Sequence, residues 1–171
     1  MTAPQVFFSY FAAMITGLSL LVVTRKNPVH SVLWMLLLFV HIAGLYLFLN
    51  AEFLAAIQII IYAGAILVLF LFVIMLLNLR KEETEKRFQR QWPLGLGIGV
   101  VLMMFLVPVL GNISVVPPLG PYSVDAIKSE GHIMTVGKVL YTEFLLPFEI
   151  ASVILLVAIV GAVVLAKRRL E

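Results

Sequence analysis

The chain has no cysteine and little charge, with 12% charged residues against 63% hydrophobic ones. The first absence excludes disulfides, cysteine-ligated iron–sulfur clusters and thiol chemistry. The second excludes an ordinary soluble domain, in which about a quarter of the residues are charged. The histidines show no ligand spacing, so a metal site has no support. The net charge of +3 comes from basic residues at the ends of apolar runs, a matter of membrane topology rather than nucleic-acid binding. A mean hydropathy of +1.12 marks an integral membrane protein. Its 171 residues hold several spanning helices but no sizeable aqueous domain. Nothing resembles a nucleotide-binding fold, so redox cofactors and nucleotide chemistry belong to partners.

What the chain does have is a long uncharged run, Phe53 to Leu79, with Ile59, Ile60, Ile61, Tyr62, Ala63, Gly64 and Ala65 at its middle. An unbroken helix of that length would measure about 40 Å, whereas the hydrocarbon core is roughly 30 Å thick. Tilt, a local distortion or projection beyond the lipid absorbs the surplus, and the Tyr-Ala-Gly-Ala cluster is where distortion is easiest. Hydropathy predicts an all-α membrane protein forming one domain over 1–171, with five spans at about 4–23, 28–49, 53–79, 93–111 and 138–166. Pro4, Pro28 and Pro93 suit first helical turns, where the missing N–H is no loss. The first span lacks a preceding basic residue and is followed by Arg25 and Lys26, so it is expected to remain in the mature protein.

Basic residues set the orientation. Arg25 and Lys26, then Arg80, Lys81, Lys86, Arg87 and Arg90, then Lys167, Arg168 and Arg169 fall on one side, while the other has only Lys128 and Lys138. By the positive-inside rule the N-terminus is outside (periplasmic) and the C-terminus cytoplasmic. The 80–92 loop is then a solvated cytoplasmic connection, and 112–137 a long non-helical periplasmic segment whose Pro117, Pro118 and Pro121 favour an extended path. Trp92 and Tyr141 fall at span boundaries as interfacial aromatics, while Trp34 lies deeper as a packing residue.

Polar residues inside the spans carry the functional signal, because an intramembrane charge costs at least about 2.5 kcal/mol. Counting from an outer boundary near Leu140, Glu149 lies about 13 Å deep and must be protonated, paired or wetted. Pro147 frees the carbonyl of Glu143 and predicts a kink beside that carboxylate. A neutral Glu149 held by one interhelical hydrogen bond is the plainer alternative to proton handling. Gln58 and Tyr62 share a face at i, i+4 if the helix is regular, and depth places His41 and Tyr10 in the same half of the membrane. Together these residues predict a polar layer between mid-membrane and the outer face. A satisfied buried histidine and an ordinary buried phenol are the plainer alternatives for His41 and Tyr62. Gly95 and Gly99 form a G-x-x-x-G pair of low specificity.

Asn27-Pro28-Val29-His30, the block Ile61-Tyr62-Ala63-Gly64-Ala65-Ile66 with Val68-Leu69-Phe70, and Phe148-Glu149-Ile150-Ala151-Ser152 carry a further signal. In these the chain resembles the J subunit family of bacterial NADH-quinone oxidoreductase (respiratory complex I), the counterpart of mitochondrial NADH dehydrogenase subunit six. The resemblance covers the whole chain in topology and is strongest from about Asn27 to Asn78. It implies a multi-pass subunit of the bacterial inner membrane with no active site of its own, in a complex that couples quinone reduction to proton translocation. FMN, iron–sulfur clusters and quinone would sit in partner subunits. Those partners would be the quinone-site subunit, the small K-type and A-type subunits, and the antiporter-like pumps, with lipid around them. The resemblance further implies a π-bulge in the third helix near Tyr62. Tyr62, Ala63, Gly64 and Ala65 would form the switch, Ile66, Val68, Leu69 and Phe70 a water gate, and Glu149, Tyr62, Gln58 and His41 the proton path. Some relatives carry Glu where this chain has Gln58, which can orient water but cannot carry a proton as a carboxylate does. An Mrp-type cation/proton antiporter subunit and a small stand-alone channel are the alternatives.

Overall fold

The computed structural model describes residues 2–77, 92–112 and 122–167. The end of the expected third span, the basic 80–91 connection, the proline cluster and the last basic residues lie outside them. Among the described residues the chain is helical, and five helices are long and apolar enough to cross a membrane: Ala3–Thr24, Pro28–Phe48, Glu52–Leu76, Trp92–Val109 and Leu145–Ala166. Met1–Gly120 and Pro121–Glu171 form two compact units.

In the first unit α1 (Ala3–Thr24) and α2 (Pro28–Phe48) pack along one another as a helical hairpin. Local chemistry fixes its turn. The Asn27 side chain accepts from the Val29 N–H at 2.9 Å, and Pro28 opens α2 where no backbone donor is needed. The Arg25 guanidinium lies 5.4 Å from the Trp34 ring centroid, so Trp34 covers a charge at the turn as well as packing. Close approach depends on a small residue: a Cβ on Gly44 would come within 2.9 Å of the Phe11 ring. Lipid tails are as apolar as these side chains, so such interlocking, rather than escape from water, holds membrane helices together.

The turn out of α2 passes through Asn50, at φ 57°, a left-handed conformation that Asn tolerates better than most residues. The third span follows as α3 (Glu52–Ile57), a π-helical segment (Gln58–Ile66) and α4 (Leu67–Leu76), all three packed on α2. Helix α2 is therefore the centre of the unit. Helix α5 (Trp92–Asn112) completes it, and none of its described side chains is buried. A Cβ on Gly95 or Gly99 would meet nothing within 4 Å, so the G-x-x-x-G pair seats no helix among the described residues of this unit.

The second unit departs from the expected outline. Where a non-helical loop to Gly137 and a span from Lys138 were predicted, the chain forms α6 (Val124–Glu130), α7 (His132–Thr142) and α8 (Leu145–Ala166). Ser123 caps α6 by accepting from the Ala126 N–H, and Gly131, at φ 87°, turns the chain into α7. The break after α7 falls at Glu143–Phe144, where both backbone N–H groups reach back to the Val139 carbonyl. Pro147 thus stands in the first turn of α8, where its missing donor is harmless, and does not kink a continuous helix.

Candidate functional site

The candidate site is the π segment and what it packs on. In a regular helix the Leu67 N–H would bond the Ala63 carbonyl; here it bonds the Tyr62 carbonyl, five residues back. The Ala63 carbonyl thereby loses its α-helical donor. The wide turn also brings backbone from five residues away against the helix: a Cβ on Gly64 would sit 3.3 Å from the Ile59 carbonyl oxygen. Glycine at this position is what lets the turn close without displacing that carbonyl.

The buried residues record the extra residue directly. Along the third span they are Ala55, Gln58, Ala63 and Leu67, with steps of three, five and four in sequence. Regular winding would follow Gln58 with Tyr62 on the same face. In the structure Ala63 takes the interior place at 7% exposure, and Tyr62 is turned out to 46%. The expected i, i+4 pairing of Gln58 with Tyr62 is therefore replaced, and the π turn is the cause.

Gln58 is 7% exposed, and its side chain makes no hydrogen bond among the described residues. Among the described residues no side-chain nitrogen or oxygen is fully buried without a partner, so the Gln58 amide keeps a small opening at which a water or a polar neighbour can reach it. Tyr62 meets Phe39 of α2 edge to face, with ring centroids 5.8 Å apart. His41, two residues along α2, points elsewhere, as a rotation of about 200° requires. Its Nδ1 lies 2.8 Å from the Leu37 carbonyl oxygen and its ring 6.2 Å from that of Tyr10 on α1. The structure thus brings Tyr10 to His41 and Phe39 to Tyr62, on two sides of α2. No ring contact joins His41 to Tyr62 among the described residues. Phe39 was missed from sequence because nothing in an apolar run distinguishes the position that meets the tyrosine.

Ala65, Ile66, Val68, Leu69 and Phe70 are exposed along the same span, with Leu67 alone turned inward among them. Glu149 lies in the second unit, exposed, only four residues into α8. That is about 6 Å along the helix from its start, against the 13 Å counted from Leu140. Among the described residues no group of three or more His, Asp or Glu side chains is arranged to hold a metal ion.

Comparison with known proteins gives a single answer. The family model described as NADH-ubiquinone/plastoquinone oxidoreductase chain 6 matches residues 18–165. The chain is 41% identical over 162 residues to NAD(P)H-quinone oxidoreductase chain 6 of Leptolyngbya boryana, covering 94% of this chain and 78% of that one. It is 39% identical over 174 residues to NADH-quinone oxidoreductase subunit J of Rickettsia felis, covering 97% and 82% respectively. To chain 6 of Nostoc sp. it is 40% identical over 161 residues, covering 94% and 78%. None of these relatives is an antiporter subunit. The five apolar helices and these relatives together place the protein in the bacterial inner membrane as a multi-pass subunit, and the chain belongs to the NADH-ubiquinone/plastoquinone oxidoreductase chain 6 family, known in bacteria as subunit J.

Proposed function

We propose that this membrane-arm subunit of NADH-quinone oxidoreductase couples quinone reduction to proton pumping by rewinding its third span. The observation that carries this is the five-residue step from Gln58 to Ala63 in the buried stripe. If the π turn closes while α3 and Gln58 stay in place, everything beyond rotates by roughly 100°, one residue's worth of helix. Tyr62 then takes the interior place of Ala63, and Ile66 that of Leu67. An alanine-lined, wettable interior becomes one plugged by a phenol and a branched side chain. Ile66, Val68, Leu69 and Phe70 swing with that rotation and set whether water continues past the segment. Gly64 allows the wide turn, and the Ala63 carbonyl and the Gln58 amide supply the polar groups that water would meet when the turn is open.

Protons would be handed on by Glu149, with His41 as a polar support on the α1 side of α2. The chain holds no cofactor in this scheme. FMN, iron–sulfur clusters and quinone belong to partner subunits, consistent with a chain that has no cysteine to ligate a cluster. Those partners are the quinone-site subunit, the K-type and A-type small subunits and the antiporter-like pumps. The basic clusters put the N-terminus in the periplasm and the C-terminus in the cytoplasm.

Gly64→Val is the test, made in the assembled complex in membrane vesicles. A branched Cβ against the Ile59 carbonyl closes off the π turn, so NADH-driven proton uptake is expected to fall several-fold. NADH oxidation by a hydrophilic acceptor at the flavin should remain near the native rate. Equal loss of both activities in a fully assembled complex, or unaltered pumping, would overturn the switch.

A further inference from the structure

We infer that α7 is a membrane-surface helix, and that its face bearing Ile133, Met134, Gly137 and Tyr141 lies in the lipid headgroup boundary where α8 begins. The amphipathicity of α7 is the wrong way round for a helix in a watery loop. At 100° per residue Val136, Leu140, Ile133, Gly137, Tyr141 and Met134 form one apolar arc, and Lys138, Thr142, Thr135, Val139 and His132 the remainder, polar except for Val139. Of that remainder Thr135 is the residue held against the protein, while Lys138 stays exposed at its edge. Thr135 is 6% exposed with its hydroxyl donating to the Gly131 carbonyl at 3.0 Å, and Lys138 pairs with Glu130 of α6 at 3.9 Å. The apolar side is the one left uncovered, with Ile133 at 72%, Met134 at 67% and Tyr141 at 62% exposure.

Two observations say what covers it. First, α7 cannot leave the bilayer surface. Only Glu143 and Phe144 separate it from α8, so its C-terminal end stays within about 11 Å of the start of a membrane-crossing helix. Tyr141 meets Phe148 of α8 edge to face at 5.5 Å, and the Glu143 carboxylate accepts from the Tyr122 hydroxyl at 3.0 Å, which ties the chain ahead of α6 to the same junction. Second, the water side is already supplied. Helix α6 exposes Asp125, Lys128, Ser129 and Glu130, and it packs on α7. A polar helix packed on one whose free face is apolar, at the end of a membrane span, is the arrangement of an interfacial anchor. An aromatic with a polar tip beside the break is the residue type that favours this depth.

A photoreactive benzophenone amino acid placed in turn at Ile133, Met134 and Tyr141, and at Lys128 as the water-side control, tests this in the assembled complex in native membranes. After illumination and purification, mass spectrometry of the chain is expected to show phospholipid adducts at the three α7 positions, several-fold above those at Lys128. Crosslinks from the α7 positions into another polypeptide would show a protein-covered face and overturn the inference. Adduct levels no higher than at Lys128 would show a face in water and overturn it as well.

Discussion

The third span and α8 are close in hydropathy, 3.1 and 2.7, yet they are built differently. Helix α8 is regularly wound, and none of its side chains is buried within the chain. The third span is packed on α2, carries a buried amide, and changes its winding for nine residues. Apolar length decides that a segment crosses the membrane. Where small and polar residues fall within that length decides whether it is a regular rod or a helix whose winding changes. An alternative winding needs a wide turn without a Cβ clash, a polar group beside the widened turn, and an interior residue small enough to exchange with a large neighbour. The third span has all three in Gly64, Gln58 and Ala63 beside Tyr62.

The sharpest way to break this contrast is to remove the extra residue. Deleting Ile61, a half-exposed position, leaves Gln58, Ala63 and Leu67 on the interior face at regular spacing of four and retains Tyr62. The complex is expected to assemble and oxidise NADH at the flavin while proton pumping, read from a pH-sensitive dye in vesicles, is abolished. Pumping near the native level would show that a permanently regular helix suffices. Next in size is a comparison of two glycines. Gly64→Ala places a methyl 3.3 Å from the Ile59 carbonyl, whereas a Cβ on Gly161 of α8 meets nothing within 4 Å. Pumping should fall about two- to three-fold in the first, the consequence of roughly half a kcal/mol against the π form, and be unchanged in Gly161→Ala. Equal effects at both positions would remove the distinction between the two helices.

Gln58→Leu separates structure from function at one position. Replacing the mostly buried amide by an apolar side chain of similar volume should leave assembly intact, read as an unchanged thermal midpoint of the complex. Loss of pumping with assembly intact would mark the amide as part of the water path. Unchanged pumping would make it a packing residue.

Much of this was open to inspection in the sequence. Five spans follow from apolar length, and the place of the distortion follows from Tyr62-Ala63-Gly64-Ala65, because a span longer than the bilayer with small residues at its middle has one easy place to yield. The face that the distortion presents was not legible. Regular spacing puts Tyr62 with Gln58, and only the observed winding substitutes Ala63. The break at Glu143–Phe144 was hidden for a different reason. Averaged hydropathy runs smoothly from Lys138 into α8, and Pro147 reads equally as a kink or as a first turn. Placing the start at Leu145 halves the depth counted for Glu149, so the proposal that it carries protons now requires a wetted outer half of the membrane rather than its middle. His41 and Tyr62 were grouped because depth alone cannot tell which side of α2 a residue takes.

The smallest expected effect lies at the head of α8, where the regular helix is held to its surface helices. The Tyr122 hydroxyl donates to the Glu143 carboxylate, and that hydrogen bond, with smaller contributions from desolvation and the nearby negative charges of Glu143 and Glu130, raises the phenol above its ordinary value of about 10. A raised folded value means that the protonated phenol is the stabilised form. The tie is complete below about pH 10 and is lost as pH rises through the higher folded value, so it strengthens nothing further on acidification through neutrality. A difference ultraviolet titration, native minus Tyr122→Phe, should therefore show tyrosinate forming above the ordinary range, and Glu143→Gln should move it back down. At pH 7 Tyr122→Phe should leave pumping unchanged while loosening α6 and α7, seen as faster amide exchange at residues 124–142. A change in pumping instead would mean that the surface helices, and not the third span alone, report on the state of the membrane path.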